Sequence, residues 1–156
     1  MLKKESHKNG IFRITLCDVS NRNALSNIMM KELAKVIDAS NTDDSIKVII
    51  IAAEGDVFCS GHNLKEINSA RDHDDGGKSF FDELFKSCSF LMQLIVNCKK
   101  PVIAEVNGVA TAAGCQLVAS CDLAISSEKS KFATPGVDIG LFCSTPMVAL
   151  SRNVTK

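Results

Sequence analysis

Three features of the chain predict an α/β fold with parallel pairing. Apolar, β-branched runs recur along it, stretches of helical periodicity separate them, and glycine- or proline-marked turns join the two. Composition permits such a fold, with 46% hydrophobic and 23% charged residues in a chain of 156, long enough to bury one real core. No repeat or linker breaks the pattern, so residues 1–156 read as a single domain.

The elements follow in order. GIFRITL (10–16) alternates apolar and polar residues, as a half-buried strand does. LSNIMMKELAKVIDAS places Leu25, Ile28, Met29, Leu33, Val36 and Ile37 on one helical face behind Ser26, a residue type that caps helix N-termini. IKVIIIAA (46–53) is uniformly apolar and β-branched, which predicts a strand covered on both faces. EGDVFCSGHNLKE then breaks the periodicity and ends in a short helix, and the polar RDHDDGGK (71–78) reads as a loop. Phe81, Leu84, Phe85, Cys88, Leu91, Met92 and Ile95 recur at helical spacing and predict a core-facing stripe. Pro101 after Lys99-Lys100 stops that helix. PVIAEVNG is a strand and turn, AAGCQLVASC a short helix, DLAIS a strand, and KFATPG a short strand into a turn.

Eighteen basic residues balance eighteen acidic ones, with no run of like charge, which argues against nucleic acid or an anionic membrane as partner. Trp and Tyr are absent, leaving only Phe to stack on bases. The seven cysteines (17, 59, 88, 98, 115, 121, 143) form no C-x-x-C pair and no ligand spacing. They read as buried, reduced thiols, and no metal site is expected. MLKKESHKNG has no apolar h-region, so it is not a secretory signal. No segment reaches the ~18 apolar residues of a membrane helix, so a soluble protein is expected.

Two strand-to-helix junctions carry the chemistry: FCSGHNLKE after the strand at 46–53, and NGVATAAG after the strand at 102–106. In open α/β sheets ligands lie beyond the carboxyl ends of strands, where such turns present free backbone N–H groups. Gly61 allows a tight turn that aims the following N–H outward, and Ala112, Ala113 and Gly114 let a second N–H approach a ligand at a helix start. Two N–H groups converging on one oxygen make an oxyanion hole; the competing reading is that glycine and alanine serve close packing alone. Other motifs fail. GVATAAG lacks the dinucleotide glycine spacing, there is no G-K-[ST] loop, Ser60 and His62 lie too close for a triad, and CSGHN is not a G-x-S-x-G elbow.

NRNAL (21–25), GDVFCSGHNLKEI, KKPVIAEVNGVATAAGCQLVASCDLAI and FATPGVDIGL, taken in that order, resemble the crotonase (enoyl-CoA hydratase/isomerase) superfamily over roughly residues 10–152. The resemblance implies the ββα superhelix of the ClpP/crotonase fold and an acyl-coenzyme A thioester as ligand, with no covalently bound cofactor. It places the oxyanion N–H groups at His62 and Ala113. Ser60, His62 and Leu64 would offer backbone contacts to coenzyme A, and Lys65 would lie beside its pantetheine and phosphates. It also implies fatty acid metabolism, a mitochondrial location and a trimer-based homo-oligomer. Without a presequence at this chain's start, a cytoplasmic product is also compatible.

Hydratases of the family set two glutamates about the substrate double bond, and the corresponding positions here are Gln116 and Gly136. An amide cannot exchange a proton near neutral pH and glycine has no side chain. Losing one such group costs about 10²–10⁴ in rate, whereas each oxyanion donor still contributes about 2.7–4 kcal/mol. Binding and polarising a thioester is therefore expected, and hydration is not. Restoring Glu at both positions is expected to raise hydration. Asp138 and the His62 side chain are weak stand-ins, Cys115, Cys143, Ser144 and Thr145 weaker ones, and Asp122 fits a turn-fixing role. Family members continue past residue 156 with helices that close the acyl pocket, so an incomplete domain lacking that C-terminal helical region is expected, with apolar faces exposed. A non-catalytic subunit or scaffold and a truncated, non-functional product are the alternative readings.

Overall fold

A computed structural model describes residues 1–155. Its strands are β1 (Leu2–His7), β2 (Ile11–Leu16), β3 (Val48–Ala53), β4 (Val57–Cys59), β5 (Val102–Val106), β6 (Val109–Thr111), β7 (Leu123–Ser126) and β8 (Lys131–Ala133). Its α-helices are α1 (Asn27–Thr42), α2 (Leu64–Ala70), α3 (Lys78–Val96), α4 (Ala113–Ser120) and α5 (Ser144–Asn153), with a 3₁₀ turn at Pro135–Ile139.

The strands form two sheets. The larger has the order β1-β2-β3-β5-β7, and the smaller β4-β6-β8. β1 pairs antiparallel with β2, and every other pairing is parallel. A repeating unit emerges: one strand in the large sheet, one in the small sheet, then helix. β3-β4, β5-β6 and β7-β8 each follow it, which is the expected ββα superhelix.

The local reasons are those read in the sequence. Ser26 caps α1 by accepting a hydrogen bond from the Met29 amide, an arrangement worth about 1 kcal/mol. One core joins Ile14, Leu16, Ile49, Ile51 and Val102 of the sheet to Leu33 and Ile37 of α1 and Leu84, Leu91 and Ile95 of α3. Each such side chain contributes about 1.5–3 kcal/mol on burial. Asp122 does fix a turn, because its carboxylate accepts from the Val102 amide at 2.8 Å while its own amide donates to the Val102 carbonyl.

Several expectations need correction. β1 was not foreseen, because it buries only Leu2 and Glu5 in part and shows no period of two. β4 and β6 lie inside the segments read as turns, so both junctions leave the small sheet rather than the large one. β3 is closed at Ile49 and Ile51 on one face, while on the other face Ala52 is buried but Val48 and Ile50 stay half-buried. Ile28 and Phe85, assigned to core stripes, are 62% and 53% exposed. β7 is exposed along its length, including Leu123 and Ile125, and Val137, Ile139, Leu141 and Phe142 are exposed beyond it.

Candidate functional site

Gly61 and the turn at Ala112–Ala113, about a third of the chain apart in sequence, meet in the fold. Gly61 has φ +90°, a conformation that favours glycine, and a side chain there would start 3.0 Å from the Ala112 Cβ and 3.3 Å from the Ala113 nitrogen. The Thr111 hydroxyl donates to the Ser60 carbonyl at 3.1 Å, and the Leu25 amide donates to the Gly61 carbonyl at 2.7 Å. Among the described residues, neither the His62 nor the Ala113 amide donates to a protein acceptor. Ala113 opens α4, where the first N–H groups have no partner within the helix.

Ala112 holds that turn at φ 50°, ψ −122°, far from where an L-residue rests. Such backbone costs about 1–3 kcal/mol and persists only where its surroundings impose it. Here its amide donates to the Ala133 carbonyl of β8, and its carbonyl accepts from the Gln116 amide. The second sheet thus pins the turn from one side and α4 from the other.

The other expected ligand contacts divide. The Ser60 amide is already engaged, donating to the Arg22 carbonyl, so it is not a free donor. His62 is half-buried and its ring meets Phe85 edge-on at 6.4 Å between centroids. Burial pulls its pKa below the usual histidine value, against the opposing pull of the Leu25 carbonyl and Glu66, and its buried Nδ1 has no hydrogen-bond partner. Leu64 and Lys65 stand exposed at the start of α2, which Asn63 caps by accepting from the Lys65 and Glu66 amides. The Lys65 ammonium makes no ion pair among the described residues.

Sequence reasoning passed over Asn23. It is fully buried and holds the first loop to its scaffold, accepting from the Asp18 amide at 2.8 Å and donating to the Glu54 and Val57 carbonyls at 2.9 and 2.8 Å. Its signal was its type: Asn tolerates the left-handed backbone that Arg22 and Asn23 adopt here, with φ 56° and 50°.

A cavity of about 520 Å³ lies between α3, α4 and α5. Phe85, Cys88 and Met92 line it from α3, and Val148 and Ala149 from α5. Gln116 reaches it from α4, one turn past Ala113; its side chain is buried and Oε1 has no partner. Gly136 does not join it there. A Cβ at 136 would sit 2.7 Å from the Cys143 sulfur and 2.7 Å from the Leu141 carbonyl oxygen, so that place is filled. Restoring an acid at 136 therefore needs more than the side chain. Asp138 and Ser144 are exposed and line no part of the cavity, while Thr145 does line it.

All seven cysteines are free, but Cys17, Cys98 and Cys143 are only half-buried, contrary to the expectation for the set. Burial pushes the Cys59 and Cys121 thiols up to about 12 and Cys88 to about 11, and raises Cys115, so these are poor thiolates at neutral pH. Among the described residues no group of His, Cys, Asp and Glu is placed to hold a metal, and no helix is long and apolar enough to cross a membrane.

The enoyl-CoA hydratase/isomerase family model matches residues 6–156. The chain is 55% identical over 149 residues to the mitochondrial enoyl-CoA hydratase domain-containing protein 3 of Xenopus laevis, covering 96% of this chain and 49% of that protein. Against the human protein of the same name the identity is 53% over 147 residues, covering 94% and 47%. The crystal structure of human enoyl coenzyme A hydratase domain-containing protein 3 matches with TM-score 0.87 at 51% identity, over 97% of this chain and 57% of that one. An enoyl-CoA hydratase of Mycobacterium smegmatis matches with TM-score 0.91 at 42% identity, over 99% and 58%. The chain spans about half the length of the curated relatives it matches.

Proposed function

The chain belongs to the enoyl-CoA hydratase/isomerase family, and from that premise we propose that it binds an acyl-CoA thioester and polarises its carbonyl without hydrating it. One observation carries the reading: the Gly61 and Ala112–Ala113 turns are apposed, with the amides of His62 and Ala113 left without protein acceptors. A thioester oxygen between them would accept two hydrogen bonds, and preorganised donors of this kind stabilise the negative charge that develops on an enolate. The exposed Lys65 ammonium would meet the phosphates or pantetheine of coenzyme A, and the backbone at His62 and Leu64 would border it.

Proton transfer is what the site lacks. Gln116 would take the place of the first glutamate and can hold a water or a ligand atom by hydrogen bonds, but it cannot deliver a proton. Gly136 would take the place of the second and offers no group at all. Burial disfavours the charged, proton-donating form of the His62 ring, and His62 does not line the cavity that Gln116 reaches. In this reading the protein acts in fatty acyl-CoA metabolism, works in mitochondria as the names of its relatives say of them, and assembles as a trimer-based homo-oligomer.

Calorimetric titration with butyryl-CoA tests binding, and crotonyl-CoA absorbance tests hydration. Saturable binding with no hydration is expected; no binding, or steady hydration, overturns the proposal. The exposed Leu123, Ile125 and Phe142 favour one second reading, a non-catalytic subunit that docks through this face. That reading predicts oligomers that bind no thioester.

A further inference from the structure

The cavity between α3, α4 and α5 is apolar along its walls, and Arg152 is the one charged residue among those that line it. We propose that the acyl chain taken here ends in a carboxylate held by Arg152, making the ligand the coenzyme A monothioester of a dicarboxylic acid. The proposal rests on the acyl-CoA-binding reading above and names the substrate class of that same site.

Arg152 belongs to the cavity by its position on α5. Thr145, Val148, Ala149 and Arg152 are spaced three and four residues apart, share one helical face, and all line the space. No Asp or Glu lines it, and Arg152 makes no ion pair among the described residues. The neighbouring amide is committed elsewhere, since the Asn153 side chain donates to the Ala119 and Ala149 carbonyls at 2.9 and 3.0 Å. That bond also fixes the last turn of α5 beside the last turn of α4. A cation that lines an apolar trough with no Asp or Glu in its lining favours an anionic group there, and a guanidinium matches a carboxylate in two parallel hydrogen bonds.

The buried Gln116 oxygen without a partner is a second sign that the space receives a ligand. The trough's length follows from two helices measured separately. Along α4, Ala113 at the proposed oxyanion turn and Ala119 beside Asn153 are six residues apart, about 9 Å. Along α3, Phe85 beside His62 and Met92, whose sulfur accepts from the Ser120 hydroxyl, are seven residues apart, about 10 Å. The two spans agree, and an extended acyl chain of about eight carbons bridges about 9–10 Å.

Calorimetric titration of the protein with the coenzyme A monothioester of octanedioic acid and with octanoyl-CoA separates the possibilities. The diacid thioester is expected to bind about fivefold tighter, as an exposed ion pair allows, with the gap narrowing as salt is raised. Arg152→Gln is expected to bind the two alike, Arg152→Glu to reverse the preference, and Arg152→Lys to keep part of the gap, which controls for the fold. Equal affinities in the unaltered protein, or a gap that survives Arg152→Gln, overturn the proposal and leave the acyl-CoA reading standing. Binding of neither ligand overturns both.

Discussion

Replacing Gly61 with alanine acts on the place where the two loops meet. At φ +90° an L-residue is strained by about 1–2 kcal/mol. The new methyl group would start 3.0 Å from the Ala112 Cβ, 3.1 Å from the Thr111 carbonyl oxygen and 3.3 Å from the Ala113 nitrogen. Each neighbour would have to yield by a few tenths of an ångström, and the yielding separates the His62 and Ala113 amides. For a chain of this size each kcal/mol shifts the melting temperature by about 2–4 °C, so a fall of about 2–8 °C is expected. Losing one neutral hydrogen bond to the thioester costs about 0.5–1.5 kcal/mol, or roughly two- to twelvefold in affinity. Scanning calorimetry and butyryl-CoA titration on the same sample read both effects. An unchanged melting temperature refutes the strained turn, and a lowered one with unchanged affinity refutes a carbonyl seated between these loops.

Gln116→Glu combined with Gly136→Glu is expected to stay without crotonyl-CoA hydration and to melt lower, because the Cys143 sulfur and Leu141 carbonyl occupy the space at 136; overpacking of this kind costs about 1–3 kcal/mol. Hydration by the double variant would show that the 141–143 segment yields freely. Asn23→Ala removes three hydrogen bonds from a fully buried site, and chemical denaturation is expected to register a loss of about 3 kcal/mol; a loss under about 1 kcal/mol contradicts the bracing role. His62, with its pKa held below the usual 6.5, binds a proton less readily folded than unfolded. Stability tied to it is therefore present above pH 6.5 and falls as the pH drops through and below that value. His62→Gln is expected to flatten that part of the melting-temperature profile; an unchanged slope contradicts the assignment.

The large sheet and its helices were legible because their signals are long. The runs at 46–53 and 102–106, the Ser26 cap and the stripe from Leu84 to Ile95 each repeat one preference over several residues. β4 and β6 have three residues apiece, too few to show a period, and they lie among turn residues, while β8, as short, was read as a strand within KFATPG. Their existence depends on one another across the small sheet, which no local window contains. Burial was misjudged for Ile28 and Phe85 because spacing identifies a helical face but not what stands opposite it. At the site, Gly61 and Ala113 were readable as turn residues, whereas their meeting, the filled space at Gly136 and the engaged Ser60 amide are tertiary facts.

The bond from the Thr111 hydroxyl to the Ser60 carbonyl joins residues 51 positions apart, and the Ala112 turn hangs from Ala133. The order in which the chain emerges during synthesis therefore matters. The β1–β2 hairpin can form as soon as it appears, since its two strands are neighbours, whereas α1 waits for α3 to complete its packing. The first loop can bond to Arg22 and Leu25 early, but before β8 is made its Gly61 faces an Ala112–Ala113 turn that Ala133 does not yet pin. Closing long loops costs entropy ahead of any contact energy, which places the junction late on the folding path. Ligand binding would then report completion of the small sheet, and acyl-CoA added during refolding would accelerate only the last step.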